Sequence, residues 1–203
     1  LAFYGVGYDQ IELAADGGPD YAEIERVIAA EKPAVAFIQR SRGYAKRKAL
    51  SLETIKAISD AARTHAVGKI SSEAKQLIDV TRQSFFEGIK MAKDGNHLHD
   101  ISNAIADYCE SFGYGVVRDL VGHGIGKNLH EDPQIPNFHQ RRRGIKLQKG
   151  MTLAIEPMVN AGTYEVAWLD DDWTVVSDDG SLSAHYENTI LITDGEPEIL
   201  TIL

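Results

Sequence analysis

The spacing of apolar residues predicts helices in the middle of the chain and short strands toward its end. Apolar side chains recur at helical spacing from Ser71 or Ser72 to the Asp94-Gly95-Asn96 turn, and again from Leu98 to Gly113. After residue 113 the pattern changes to short runs rich in valine and isoleucine, separated by glycine-rich turns. This order predicts an antiparallel sheet with helices on one face.

Residues 1–58 follow a different pattern. Residues 3–13 are rich in aromatic and β-branched side chains and predict one or two strands. Residues 20–23 form a capping box that begins a helix, and residues 34–38 form a short apolar run that predicts a buried strand. A further capped helix is predicted for residues 51–58. Together these elements predict a β-α-β-α segment like those of parallel α/β sheets.

Composition and charge narrow the functional classes. The chain has 30 acidic and 21 basic residues, and its net charge of −9 disfavours nucleic-acid binding, which needs a basic face. No apolar stretch approaches the length of a membrane span, so neither membrane association nor a signal peptide is expected. Cys109 is the single cysteine, which excludes an internal disulfide and favours a cytoplasmic location. The first residue, Leu1, suggests a fragment, a processed form or a recombinant product.

Several polar residues stand in contexts that favour binding of a hard metal ion. His123 is flanked by glycines, Glu156 ends an apolar run, and Glu187 precedes another. Taken singly, each has an ordinary explanation, as a loop histidine or as a carboxylate that is salt-bridged or lies at a strand end. With Asp60 they make a mixed set of oxygen and nitrogen donors, which suits Mn, Fe, Co or Zn better than a thiolate site.

Residues 59–201 resemble the larger, C-terminal part of the type I methionine aminopeptidases, the pita-bread metallopeptidases. The resemblance includes the two predicted helices and four further segments: SDAART (59–64), VGHGIGKNLHEDPQIPN (121–137), GMTLAIEPMVNAG (150–162) and DWTVVSDDGSLSAHYENTI (172–190). It implies an α+β (mixed α/β) fold, a partial pita-bread antiparallel sheet completed by the N-terminal β-α-β-α segment. It also implies metal-assisted hydrolysis that removes methionine from peptide N-termini.

The resemblance implies a metal-binding role for four of these residues. Asp60 and Glu187 are expected to bridge two metal ions, and His123 is expected to bind the first ion through its imidazole. Glu156 is expected to bind metal and also to accept a proton from the attacking water.

The resemblance also assigns two residues to the substrate. His130 is expected to hydrogen-bond the scissile amide, and Trp173 to form a wall of the pocket for the methionine side chain. His130 lies seven residues after His123, so the two share a face only if a bulge or turn intervenes.

Residues 1–58 resemble an internal piece of the aluminium-resistance proteins, which are relatives of the fold-type-I, pyridoxal-phosphate-dependent lyases. The most telling stretch is IQRSRGY (38–44). No lysine in this piece matches the cofactor-binding lysine, so no pyridoxal phosphate is expected. The piece replaces the strand that carries a further carboxylate in the aminopeptidases. We therefore expect at most one well-held divalent ion.

We interpret the chain as an artificial or recombined chimera of two unrelated fragments, joined near Ile58-Ser59. It would retain a partial metallo-aminopeptidase site without efficient native activity. The alternative is a methionine aminopeptidase with weak or residual activity, whose partner is a peptide N-terminus. Segments 1–58 and 59–203 are expected to fold together as one domain. An uncovered sheet edge would favour a homodimer.

Overall fold

The structure is a computed structural model that describes Arg26 and residues 35–41, 60–66, 69–170 and 173–201. For residues 35–41, 60 and 61 the description covers the backbone alone. Arg26 is helical, as the pattern around it predicts. The elements predicted for residues 3–13 and 51–58 lie outside the described residues.

Two helices follow the predicted positions closely. Helix α1 spans Ser72–Ile89 and helix α2 spans Leu98–Glu110. The hydroxyl of Ser71 accepts a hydrogen bond from the Ala74 amide at 3.1 Å, which confirms the predicted N-cap. Gly113 follows α2 with a φ of +78°, in the left-handed region that commonly ends a helix.

The strands of the described residues are short and antiparallel, as predicted for the second half of the chain. They are β1 Val35–Ser41, β2 Asp60–Ala66, β3 Gly115–Val116, β4 Gly122–Gly124, β5 Glu131–Ile135, β6 Thr152–Ile155, β7 Met158–Asn160, β8 Val166–Trp168, β9 Val175–Ser177, β10 Ser183–His185, β11 Asn188–Leu191 and β12 Glu198–Ile199. One sheet has the order β12-β11-β6-β4-β5, and a second has the order β10-β7-β3. Strands β8 and β9 form a hairpin, and β1 pairs with β2.

The pairing of β1 differs from the parallel arrangement that the N-terminal pattern indicates. Strand β1 confirms the strand predicted at residues 34–38, but it pairs antiparallel with β2, from Val35 opposite Ala66 to Ser41 opposite Asp60. The residues of β2 themselves predict no strand. This strand packs on α1, β10 and β11, and it therefore connects the N-terminal segment to the rest of the fold.

The hydrophobic core lies between the two helices and the sheets. Phe85 of α1 and Ile105 of α2 are fully buried with Leu153 and Ile190 of the five-stranded sheet. The helices approach closely at Gly88, where a Cβ would overlap the side chain of Ile105.

None of the helices in the described part of the chain combines the length and apolar character needed to cross a membrane.

Because Cys109 is buried in this core, the stability of the fold is expected to depend on pH in the alkaline range. Burial raises the pKa of its thiol from 9.0 to about 11. The stability that this shift contributes is fully present below pH 9, the unfolded pKa, and is lost as the pH rises through 11. Two pKa units correspond to about 2.7 kcal/mol. We expect the wild type to lose about 2–3 kcal/mol more than Cys109→Ala between pH 8 and pH 11 in urea unfolding. Parallel pH profiles of the two proteins would contradict this.

Candidate metal centre

Two carboxylates lie where the chain crosses from one sheet to the other. The chain passes from β6 to β7 through Glu156-Pro157, and from β10 to β11 through Tyr186-Glu187. Strands β6 and β11 belong to the five-stranded sheet, whereas β7 and β10 belong to the three-stranded one. The β6–β11 register places Asn188 opposite Ile155, so Glu187 and Glu156 occupy neighbouring positions at the crossing.

Strand β4 brings a histidine to the same place. His123 lies opposite Ala154 in the β4–β6 ladder, and alternate residues of a strand point to the same face. Glu156, two residues after Ala154, therefore shares the face of His123. One ligand atom each from His123, Glu156 and Glu187 lies within 4.8 Å of the others. Glu187 is only 1% exposed, so its carboxylate is removed from bulk water.

The orientation of His123 suits a metal ligand. Its Nδ1 lies 3.0 Å from the Gly124 carbonyl oxygen, which favours a proton on Nδ1 and leaves Nε2 facing Glu156 Oε1 at 3.6 Å. Burial lowers the pKa of His123, and the neighbouring His130 lowers it further. A neutral imidazole whose other nitrogen is held by a carbonyl is the form that binds divalent ions. With two carboxylates beside it, this donor set fits Mn, Fe, Co or Zn.

His130 lies beside His123, as the predicted roles require. The ring centroids of the two histidines are 4.1 Å apart. The β4–β5 register shifts between His123 and Gly124, which supplies the irregularity that the seven-residue spacing demanded. Because His130 is exposed, it lies at the solvent side of the group.

His185 is a further polar residue at this site, and it is not among the site residues predicted from sequence. Its Nε2 lies 3.9 Å from Glu156 Oε2, so each carboxylate oxygen of Glu156 has an imidazole nitrogen nearby. Burial lowers the pKa of His185 to about 4. His185 also lines a mainly apolar cavity of about 200 Å³, together with Val117 and Met158. Its position two residues before Glu187 is the signal that could have found it.

Asp60 and Trp173 are the other two predicted site residues. Asp60 begins β2, but its side chain lies outside the described part of the chain. Trp173 precedes β9 and is 83% exposed. The cavity beside His185 is lined instead by Val175 and Val176, the next strand residues. The roles of Asp60 and Trp173 stay predictions.

Comparison with known proteins gives two matches to protein families. The model of metallopeptidase family M24 matches residues 52–194, and the model of methionine gamma-lyase matches residues 1–81. The two matched ranges overlap at residues 52–81, so they leave the exact position of any boundary open.

Relatives of the chain include methionine aminopeptidases from two Clostridium species. The Clostridium acetobutylicum protein is 63% identical over 143 residues, which cover 70% of this chain and 57% of the relative. The Clostridium perfringens protein is 61% identical over 145 residues, which cover 71% of this chain and 58% of the relative. The chain thus spans somewhat more than half the length of these relatives.

Solved structures confirm the predicted partial pita-bread architecture. The crystal structure of a Thermotoga maritima methionine aminopeptidase aligns with a TM-score of 0.69 at 51% identity, over 71% of this chain and 58% of that chain. The Pyrococcus furiosus prolidase, at 23% identity and a TM-score of 0.55, shares the fold alone.

Proposed function

Because the chain belongs to metallopeptidase family M24, we propose that His123, Glu156 and Glu187 form the ion-binding part of a site that removes methionine from peptide N-termini. The observation that supports this proposal is the approach of three ligand atoms to within 4.8 Å of one another at a buried sheet crossing. Relatives named as methionine aminopeptidases supply the substrate class.

We propose that this site binds one divalent ion tightly and that the ion is Mn, Fe, Co or Zn. His123 would bind it through Nε2, and Glu156 and Glu187 through carboxylate oxygens, with Asp60 as a further ligand. When bound, the ion would supply Lewis-acid activation of the scissile carbonyl and of water.

The side chains around the ion would accept the proton of the attacking water and bind the peptide. Glu156 would accept the proton of the attacking water. The Nε2 atom of His185 lies 3.9 Å from its second carboxylate oxygen. His130, at the solvent side, would hydrogen-bond the scissile amide. The apolar cavity beside His185 would receive an apolar side chain of the peptide.

We propose that the resulting activity is weak. The resemblance to methionine aminopeptidases implies a further carboxylate upstream of Asp60 for a second ion. The chain has instead a segment that matches the methionine gamma-lyase model. A ligand displaced by about 1 Å can lower a rate by about a hundredfold. Loss of pocket walls would lower it further.

The second candidate is a chimera of two fragments without efficient activity. The methionine gamma-lyase match over residues 1–81, beside the M24 match, favours this origin. Under it, segments 1–58 and 59–203 would fold as one domain, and the β1–β2 ladder that joins them supports this. Dimerisation through a sheet edge and a cytoplasmic location remain predictions.

One experiment separates the two candidates. The metal-free full chain is titrated calorimetrically with Co²⁺ or Mn²⁺, and release of methionine from a Met-Ala-Ser peptide is then quantified, with Lys-Ala-Ser as the control substrate. We expect about one ion per chain and slow, metal-dependent turnover of the methionine peptide alone. Binding without turnover would indicate an inherited but inactive site. If the chain shows neither ion binding nor turnover, the result supports the chimera without function.

A further inference from the structure

The backbone of Glu187 is held in place by the neighbouring strand β2. It lies between the end of β10 at His185 and the start of β11 at Asn188, so the ladders of those strands leave its backbone to other partners. Its N–H donates to the Ala62 carbonyl oxygen at 2.7 Å. Its own carbonyl oxygen accepts a hydrogen bond from Arg63 Nη1 at 3.2 Å. Both main-chain polar groups of Glu187 are therefore bonded to β2.

Arg63 contacts the residues on both sides of Glu187 as well. Its Nη2 donates to Asn188 Oδ1 at 2.9 Å, and its guanidinium lies 4.8 Å from the centroid of the Tyr186 ring. Tyr186 in turn packs on Phe85 of α1, with ring centroids 5.3 Å apart. A planar guanidinium, with several donors in a fixed arrangement, can make these contacts together, whereas an ammonium group cannot.

The same strand carries another predicted ligand. Strand β2 begins at Asp60, three residues before Arg63. The bonds from Arg63 therefore fix the register between the strand of Asp60 and the crossing that carries Glu187. A buried carboxylate such as Glu187 has little freedom to correct a misplaced backbone, because it is packed on all sides.

We propose that Arg63 is a positioning residue for the metal centre, which sets the backbone of Glu187 so that its carboxylate meets the ion together with His123 and Glu156. This inference rests on the proposed ion site. Arg63 acts through Glu187 and does not touch substrate. A purely structural role would lower the stability of the metal-free protein and leave the affinity of the folded protein for an ion unchanged.

The test compares Arg63→Met and Arg63→Lys with Arg82→Met in the full chain. Arg82 is a matched control, since it is an exposed arginine whose guanidinium likewise lies over an aromatic ring, 5.1 Å from the Phe86 ring centroid on α1. The measurements are the Kd for Co²⁺, the visible absorption spectrum of the Co²⁺ protein, and thermal unfolding of the metal-free protein.

We expect Arg63→Met to raise the Kd for Co²⁺ by about 10- to 100-fold, the usual effect of losing an outer partner of a ligand, and to change the visible spectrum. The Kd of Arg63→Lys for Co²⁺ should lie between those of Arg63→Met and the wild type. If Arg63→Met does not fold, the Kd of Arg63→Lys serves as the test. Arg82→Met should stay within about twofold of the wild-type Kd. An unchanged Kd and spectrum in both Arg63 variants would overturn the inference and leave the proposed function intact. A wild type that binds no Co²⁺ would overturn both.

Discussion

Replacing Glu156 by glutamine is expected to slow the release of methionine from a Met-Ala-Ser peptide by about 10²- to 10⁴-fold, the usual contribution of a positioned general base. Glutamine keeps the shape of the side chain and one oxygen that can face an ion, but it has no carboxylate to accept a proton. The side chain is largely buried, between His123 Nε2 at 3.6 Å and His185 Nε2 at 3.9 Å. The substitution therefore tests proton acceptance with little change in packing.

The assay for this variant must separate catalysis from metal binding. Free methionine is quantified at saturating Co²⁺ with high protein concentration, because the wild-type rate is itself expected to be low. The Kd for Co²⁺ is measured independently. Glu73→Gln, at an exposed position in the first turn of α1, is the matched control and should retain the wild-type rate. If Glu156→Gln at saturating Co²⁺ turns over within tenfold of the wild type, Glu156 is not the proton acceptor.

The helices could be predicted because their signals are local. Apolar residues at helical spacing and a serine at the start define α1, and a glycine in the left-handed region closes α2. The antiparallel strands of the second half could be predicted in the same way, from short β-prone runs between turns. Such signals lie within a few residues of the elements that they specify.

Strand β2 could not be predicted from its own residues. Its sequence, DAARTHA, is rich in alanine and has no alternation of apolar and polar residues. It is extended because its backbone pairs with β1, and because Ala62, which is 1% exposed, lies against Glu187. A larger side chain at position 62 would hold the two segments apart. Ala62, which weakens the strand pattern, is therefore a residue that the packing needs.

The candidate site was predictable as a set of residues but not as a geometry. His123, Glu156 and Glu187 were each singled out from local context, whereas their approach depends on the register of β4, β6 and β11. His185 was missed because its lowered pKa arises from burial by residues distant in sequence. Register and burial are properties of the whole fold, so no short window of sequence carries them.

The glycines around His123 have a different role from the one that their sequence suggests. Glycines beside a histidine commonly allow a tight turn and the close approach of a ligand. In the structure, a Cβ on Gly122 would lie closer than 3.0 Å to the Ala154 carbonyl oxygen, and one on Gly124 would lie that close to the Asp132 carbonyl oxygen. These glycines therefore let β4 lie close to its neighbouring strands.

Gly122→Ala is accordingly expected to weaken Co²⁺ binding by at least about a hundredfold and to lower the free energy of unfolding by about 1–3 kcal/mol. The new methyl group meets backbone of β6, which cannot rotate away as a flexible side chain would. Strand β4 must then move, and His123, the next residue, moves with it relative to Glu156. Gly195→Ala is the matched control, because a Cβ there has no neighbour within 4 Å and its φ is not in the left-handed region. Competition with a chelator gives the Kd, and urea titration gives the stability. Equal affinities in the two variants would show that the position of β4 does not set the ion site.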